Sequence, residues 1–311
     1  MNGWIYNQCQ FRGTEALELI SNELRLIVLP NWGGRIVSIT PRTSPDTEIL
    51  LQPLSDRISS SAENTHYTAN QSWGWDDLFP SVSPCTIHDP ELGEIVIPDH
   101  GELWLREVQI SYSEQECSFT TMGQILPYYF EKKLLPLPNG VKMEWTLKNL
   151  SDHPFLYLWS AHPLFTLNSD TIVRIPSGVK ELSFEVPPRI STMFPMNSGT
   201  LQFKNIGDKF ALKYFYVSQI LSTDLPLCLE YPSAGLRISI IFDINFLSYL
   251  GVWINNGGWG DQYALALEPT TSYPDSLLEA QRNASARILS PHKVESWWLG
   301  LYLLHSHKNI L

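Results

Sequence analysis

The fold class is decided by three consecutive segments: Tyr128-Tyr129-Phe130-Glu131-Lys132-Lys133-Leu134-Leu135, Pro136-Leu137-Pro138-Asn139-Gly140, and Val141-Lys142-Met143-Glu144-Trp145-Thr146-Leu147-Lys148-Asn149. In the third, Val141, Met143, Trp145 and Leu147 face one way and Lys142, Glu144, Thr146 and Lys148 the other. That period of two marks a strand with one buried and one wet face. Asn139-Gly140 supplies the positive φ angles of a tight turn, so residues 128–135 and 141–149 read as a β-hairpin.

The same grammar extends in both directions. Leu17-Glu18-Leu19-Ile20 and Leu24-Arg25-Leu26-Ile27-Val28-Leu29 are short strands around Ser21-Asn22, and Pro30 stops the second. Asn31-Trp32-Gly33-Gly34 is a turn before a strand from Arg35 to Thr40. Residues 103–111 and 117–122 are strand-like. Phe155 to Pro163 is apolar on both faces until His162, as expected of an interior strand ending there. Short strands are expected across 171–212, from Leu236 to Ile244, from Leu247 to Ile254, and from Tyr263 to Glu268, where Pro269 ends the run. The closing segment 294–304 is a heavily apolar strand, and Pro274 to Arg282 is a short helix. Residues 41–72 form a polar excursion, read either as a flap or as a passive surface loop. No repeat or linker divides the chain. The expectation is all-β: a large antiparallel β-sandwich with one or two short helices, residues 1–311 forming a single domain.

Composition narrows the function. Of 311 residues 43% are hydrophobic and 17% charged, enough for a large core and incompatible with global disorder. A net charge of −11 without a dense Lys/Arg cluster argues against nucleic acid and anionic membrane surfaces as partners. There is no bilayer-length apolar run and no signal-peptide pattern at the N-terminus, so a cytoplasmic location is expected. Cysteines 9, 85, 117 and 228 form no CxxC pair and are expected as free thiols. GxSxG, Walker A and HExxH motifs are missing, and Gly33-Gly34 lacks the rest of a dinucleotide fingerprint, so no cofactor is expected. Zinc on His100, His162 and Glu268 is conceivable, but no short-range ligand pair supports it, and no metal is expected.

The chemistry concentrates in two motifs, Trp73-Gly74-Trp75-Asp76-Asp77-Leu78-Phe79-Pro80 and Ile97-Pro98-Asp99-His100-Gly101-Glu102-Leu103-Trp104. Aromatic faces pack on the C–H faces of sugars while carboxylates and imidazoles bind hydroxyls, so this stretch is expected to form one wall of a pyranose-binding cleft. The count of 11 tryptophans alone favours an aromatic core instead. On the strand before Pro269, Ala264, Ala266 and Glu268 share a face, which leaves space beside the carboxylate for a ligand; a solvent-exposed strand end is the other reading. His162 is either a satisfied core histidine, the reading favoured for a lone histidine, or a titratable group at a cleft. Pro98, Asp99 and Gly101 imply a backbone bent to present His100, with Asp99 orienting the imidazole. Two histidines and a carboxylate without a serine nucleophile point to acid–base chemistry.

At these residues the chain resembles the aldose 1-epimerase (galactose mutarotase-like) superfamily, in a branch carrying GWDxxFP and PDHGELW. The likeness runs through Gly33-Gly34-Arg35-Ile36, the 73–104 stretch, Leu158-Trp159-Ser160-Ala161-His162-Pro163, Leu267-Glu268-Pro269, Pro291 and Trp297-Trp298. It implies a supersandwich with a sugar in an open cleft on one sheet. It also implies a cofactor-independent enzyme that interconverts α and β anomers by opening and reclosing the ring. Glu268 takes the place of the base on the anomeric hydroxyl, His162 that of the acid at the ring oxygen, and His100 that of a substrate-binding histidine. Trp75, Asp76, Asp77, Arg35 and Trp253 are expected to line the cleft. Asp76-Asp77 and Glu102-Leu103-Trp104 stand where relatives place arginines, which points to a neutral aldose; Arg35 and Arg106 are the possible spatial substitutes. The alternatives are a non-catalytic carbohydrate-binding protein on the same scaffold and a structural sandwich whose aromatics are core. The expected partner is a small sugar, and the expected state a monomer or homodimer.

Overall fold

A computed structural model of the protein describes residues 3–58, 67–175, 182–186, 199–203, 209–217 and 226–305. In chain order the first strands are β1 (Ile5–Phe11), β2 (Thr14–Ile20), β3 (Leu24–Leu29), β4 (Arg35–Pro41), β5 (Trp75–Leu78), β6 (Cys85–Asp89), β7 (Gly93–Ile97) and β8 (Gln109–Tyr112). They are followed by β9 (Cys117–Met122), β10 (Tyr128–Leu137), β11 (Gly140–Asn149), β12 (Phe155–Tyr157), β13 (Ser160–Thr166), β14 (Ile172–Arg174), β15 (Leu182–Val186) and β16 (Thr200–Gln202). The rest are β17 (Phe210–Tyr216), β18 (Leu227–Tyr231), β19 (Leu236–Phe242), β20 (Tyr249–Asn256), β21 (Tyr263–Thr270), β22 (Arg287–Leu289) and β23 (Val294–His305), with one α-helix among the described residues, α1 (Leu277–Arg282).

Two large antiparallel sheets carry the fold. Among the described residues one has ten strands in the order β1-β2-β3-β4-β5-β13-β21-β20-β17-β15, the other nine in the order β16-β14-β18-β19-β23-β11-β10-β9-β8. The β10–β11 hairpin closes at Leu137↔Gly140, with Lys132 opposite Trp145. The inward side chains of both strands join the core, which includes Trp145, Trp159 and Trp297. This is the antiparallel β-sandwich expected from the alternation. No helix of the described residues is long and apolar enough to cross a membrane. Among the described residues the four cysteines form no disulfide.

Several local expectations change. Residues 155–163 are not one strand: β12 pairs with β22 in a separate two-stranded sheet, and β13 starts at Ser160. Thr271 Oγ1 accepts the Trp159 N–H at 2.9 Å and Thr270 Oγ1 donates to the Trp159 carbonyl at 3.0 Å, so side chains satisfy the backbone where the chain changes sheet. His162 then lies within β13, which runs on to Thr166. β21 likewise continues through Pro269 to Thr270, and the Thr271 N–H bonds to the Trp159 carbonyl at 2.9 Å. Glu268 is therefore inside a strand and fully buried, not at its lip. Residues 103–105 form a 3₁₀ turn before β8, which lets consecutive Leu103 and Trp104 both reach the interior. The helix is shorter than expected and is N-capped by Ser276. Strands β1, β5, β6, β7, β18 and β22 lie outside the segments expected to be strands, and β17 emerges as a full strand of the ten-stranded sheet. The described parts of the 41–72 excursion beyond β4 hold no further strand before β5; residues 59–66, central to the flap reading, lie outside the described residues.

Candidate functional site

The site is built on the face of the ten-stranded sheet that points away from the other sheet. Antiparallel register sets its geometry. The pairs Ser160↔Thr270 and Leu164↔Ala266 bracket His162 and Glu268, placing them level on neighbouring strands. Asp76 is opposite His162, Gly251 is opposite Glu268, and Phe215 is opposite Gly251. With the Ile36↔Trp75 bridge putting Arg35 beside Asp76, one transverse row reads Arg35, Asp76, His162, Glu268, Gly251, Phe215. Directly opposed residues share a face, so Arg35, Asp76, His162 and Glu268 form a continuous polar strip on one side of the sheet, with Gly251 and Phe215 next in the row.

Gly251 keeps that strip open. A Cβ there would stand 3.0 Å from Glu268 Oε2 and 3.1 Å from the Phe215 ring. Lys213 lies one row away, opposite Trp253, and its ammonium crosses this gap to pair with Glu268 Oε2. Asp275 Oδ2, from the segment after β21, lies 3.4 Å from the same ammonium. Glu268 Oε1 is buried with no hydrogen-bond partner among the described residues.

His100 arrives from a loop held down by backbone contacts. Its N–H donates to the Val82 carbonyl at 2.6 Å, and the Glu102 N–H donates to Phe79 at 2.8 Å. Between them Gly101, at φ +68°, passes so close that a Cβ would meet the Phe79 carbonyl oxygen at 2.1 Å. The Glu102 carboxylate accepts the N–H groups of Gln124 and Ile125 at 3.0 and 3.1 Å, which ties the far side of the loop. The two sequence motifs thus form one docked unit. His100 Nδ1 lies 2.9 Å from Asp99 Oδ1, as expected, and the imidazole stacks on Tyr67 at 3.5 Å and 5°. The rings of His100 and His162 meet edge to face at 5.4 Å.

A cavity of about 260 Å³ opens over this row. It is lined by Glu268, His162, Lys213 and Asp275, by Tyr67, His100 and Asp99 from one side, and by Trp253 and Trp259. The two tryptophans are near perpendicular, at 6.5 Å and 83°. Drug-sized ligand sites run to roughly 300–1,000 Å³, so this volume suits a single small ring.

The other expected lining residues divide by parity. Asp76 is on the site face but buried beneath Tyr67, whose hydroxyl donates to Asp76 Oδ2 at 3.4 Å. Arg35 pairs with Asp76 and donates to the Gln71 carbonyl at 2.8 Å; its guanidinium lies 4.2 Å from Trp73 and 5.9 Å from Trp104, enclosed and unable to substitute for a cleft arginine. Arg106 does not line the cavity among the described residues. Trp75 and Asp77 face the opposite way, because adjacent residues of a strand point to opposite sides. Trp75 joins the core against Phe165, and Asp77 pairs at 3.0 Å with Lys132 of the other sheet. The space left by Ala264 and Ala266 is filled by Leu51, Leu164 and Trp253.

Electrostatics follows from burial. Desolvation pushes the Glu268 carboxyl above its usual 4.5; the Lys213 ammonium opposes this and Asp275 adds to it. His162 is held well below 6.5, first by burial and then by His100, Lys213 and Arg35. Burial raises Asp76 to about 6 against the pull of Arg35. The result is a carboxyl and an imidazole side by side in the cavity, both shifted by burial toward their neutral forms. No cluster of three or more metal-ligating side chains occurs among the described residues.

Tyr67, Lys213, Asp275 and Trp259 were not anticipated from sequence. Lys213 did leave a signal: Phe210-Ala211-Leu212-Lys213-Tyr214-Phe215-Tyr216 carries one charge in an otherwise apolar strand, and such a charge needs a partner. Tyr67 sits in the polar excursion, where no periodicity marks it.

No family model matches the chain, and no curated protein matches it. Solved structures do. A galactose mutarotase-like protein from Clostridium acetobutylicum superposes with TM-score 0.72 at 15% identity, over 98% of this chain and 100% of that one. A galactose mutarotase related enzyme from Lactobacillus acidophilus gives 0.68 at 12%, over 95% and 99%. A galactose mutarotase-like protein from Lactobacillus casei gives 0.68 at 13%, over 93% and 100%. These matches cover more than nine-tenths of each chain, and the protein has the galactose mutarotase-like β-sandwich fold.

Proposed function

We propose that the protein is an aldose 1-epimerase acting on a neutral aldose, with Glu268 as base and His162 as acid. The observation that carries this reading is the level placement of His162 and Glu268 on adjacent strands of one small cavity. Glu268 removes the proton of the anomeric hydroxyl while protonated His162 gives one to the ring oxygen. The C1–ring-oxygen bond breaks to leave an open-chain aldehyde, rotation about C1–C2 presents its other face, and the same groups reverse their roles on closure. Each assisted transfer gives about 10²–10⁴-fold, without metal or cofactor. His100 and Trp253 hold the ring, the first by hydrogen bonding and the second by its aromatic face.

Charge supports a neutral substrate. Among the cavity's described residues Asp99, Glu268 and Asp275 are carboxylates, while Lys213 is the one ammonium and is already shared between two of them. A sugar phosphate would meet excess negative charge.

Polarimetry or NMR exchange on fresh α-glucose and α-galactose tests the reading, extended to a panel of other neutral aldoses. Acceleration by the wild type and its loss in Glu268→Gln are expected. Sugar binding without acceleration would replace the enzyme with a carbohydrate-binding protein. No binding and buffer rates across the panel would remove the sugar assignment.

A further inference from the structure

Neither sequence motif accounts for the ion pair on Glu268. Lys213 has a side chain only 7% exposed, and its ammonium is shared between Glu268 and Asp275 beside the Phe215 ring, at 5.1 Å from the centroid. It stands one row away from Glu268 and reaches it because Gly251 has no side chain. A long, flexible side chain fixed this way loses its rotamer freedom and its hydration, which only close pairing offsets.

The groups facing Glu268 show what the pairing does. Asp275 presents a like charge from the segment after β21; His162 is neighbour on β13; His100 arrives from the loop after β7, with Asp99 behind it. Asp76 and Arg35, further along the row, largely offset each other. Lys213 is therefore the one cation in contact with the Glu268 carboxylate among the described residues. Without it a carboxyl buried beside Asp275 would favour its protonated form, which cannot accept a proton.

We propose that Lys213 is the positioning residue of this site: shared between Glu268 and Asp275, its ammonium fixes the Glu268 side chain and keeps the carboxylate ionised. The catalytic meaning of this arrangement rests on the reading of Glu268 as the base; the electrostatic arrangement itself does not. Lys213 offers one carboxylate oxygen a permanent partner and leaves the other, Oε1, for the substrate hydroxyl.

The test is a ¹³C NMR titration of the Glu268 carboxyl carbon, assigned by its loss in Glu268→Gln, in the full-length protein. Lys213→Met is expected to move that titration up by about one to three pH units, the range for an opposite charge in contact. Asp275→Asn is expected to move it down, since a like charge is removed. The acid limb of the exchange rate should shift in the same senses, a response that loss of packing alone would not produce. A Glu268 titration in Lys213→Met at or below the wild-type value overturns the proposal. Should Lys213→Met fail to fold, Asp275→Asn decides: a downward shift upholds the arrangement and an unchanged or upward one overturns it. If the wild type accelerates no aldose, the epimerase reading falls while the titration still settles the role of Lys213.

Discussion

His162 and Glu268 lie 106 positions apart in the chain and level with each other on adjacent strands, between the Ser160↔Thr270 and Leu164↔Ala266 pairs. Both are buried, and burial acts on them in opposite senses: it favours the neutral acid at Glu268 and the neutral base at His162. Burial thus disfavours, at both residues, the ionised form that the proposed reaction uses: the Glu268 carboxylate and the His162 imidazolium. Lys213 biases the pair at its Glu268 end.

The two opposed shifts predict a bell-shaped pH dependence of kcat/KM on the acid side of neutrality. Activity rises as Glu268 deprotonates, at a pH above the ordinary 4.5, and falls as His162 loses its proton, at a pH below 6.5. The measurement is NMR exchange from pH 4 to 9. A rate that stays flat from about pH 6 to 8 would mean that His162 acts only as a neutral hydrogen-bond donor.

Glu268→Gln is expected to lower kcat by about 10²–10⁴-fold, the range for one assisted proton transfer. The side-chain volume is preserved and Asp275 still pairs Lys213, so the circular dichroism spectrum should be unchanged. Wild-type turnover in this variant would remove Glu268 from the mechanism.

Tyr67→Ala removes the ring stacked on His100 and the hydroxyl bonded to Asp76. A stacked aromatic pair is worth roughly 0.5–1.5 kcal/mol, so an increase in KM of about 2- to 10-fold is expected with kcat less affected. Tyr67→Phe, which keeps the ring, should restore most of the loss. Steady-state kinetics on the preferred sugar separates the two.

Lys132→Met strands the Asp77 carboxylate between the sheets, where both side chains are almost fully enclosed. Breaking a buried pair at one partner costs about 3–5 kcal/mol, measurable as a lower urea midpoint. The double variant Lys132→Met/Asp77→Leu should recover much of it, because no uncompensated charge remains. A single variant as stable as wild type would mean that water reaches Asp77.

Strand alternation alone makes the sandwich legible in the sequence. The 141–149 strand shows its two faces in its residue types, and the meander from Leu17 to Thr40 is punctuated by its turn residues. Alternation also shows that Trp75 and Asp77 share a face that Asp76 does not, yet it does not say which face meets the other sheet. That was settled by Lys132, whose side chain crosses the interior to Asp77. Pro269 and the apolar run before His162 misled for a related reason. A proline or a polar residue ends a strand only if its neighbours leave it unpaired, and here they do not.

Residue order alone specifies most of the strands, the two faces of those that alternate and the residue types available for acid–base chemistry, because these depend on periods of two along a local stretch. Tertiary structure alone decided that Arg35, Asp76, His162, Glu268 and Gly251 fall into one row and that Lys213 reaches across it. Register between strands far apart in the chain is a property of pairing, and a shift of one residue would have sent every one of these side chains to the opposite face.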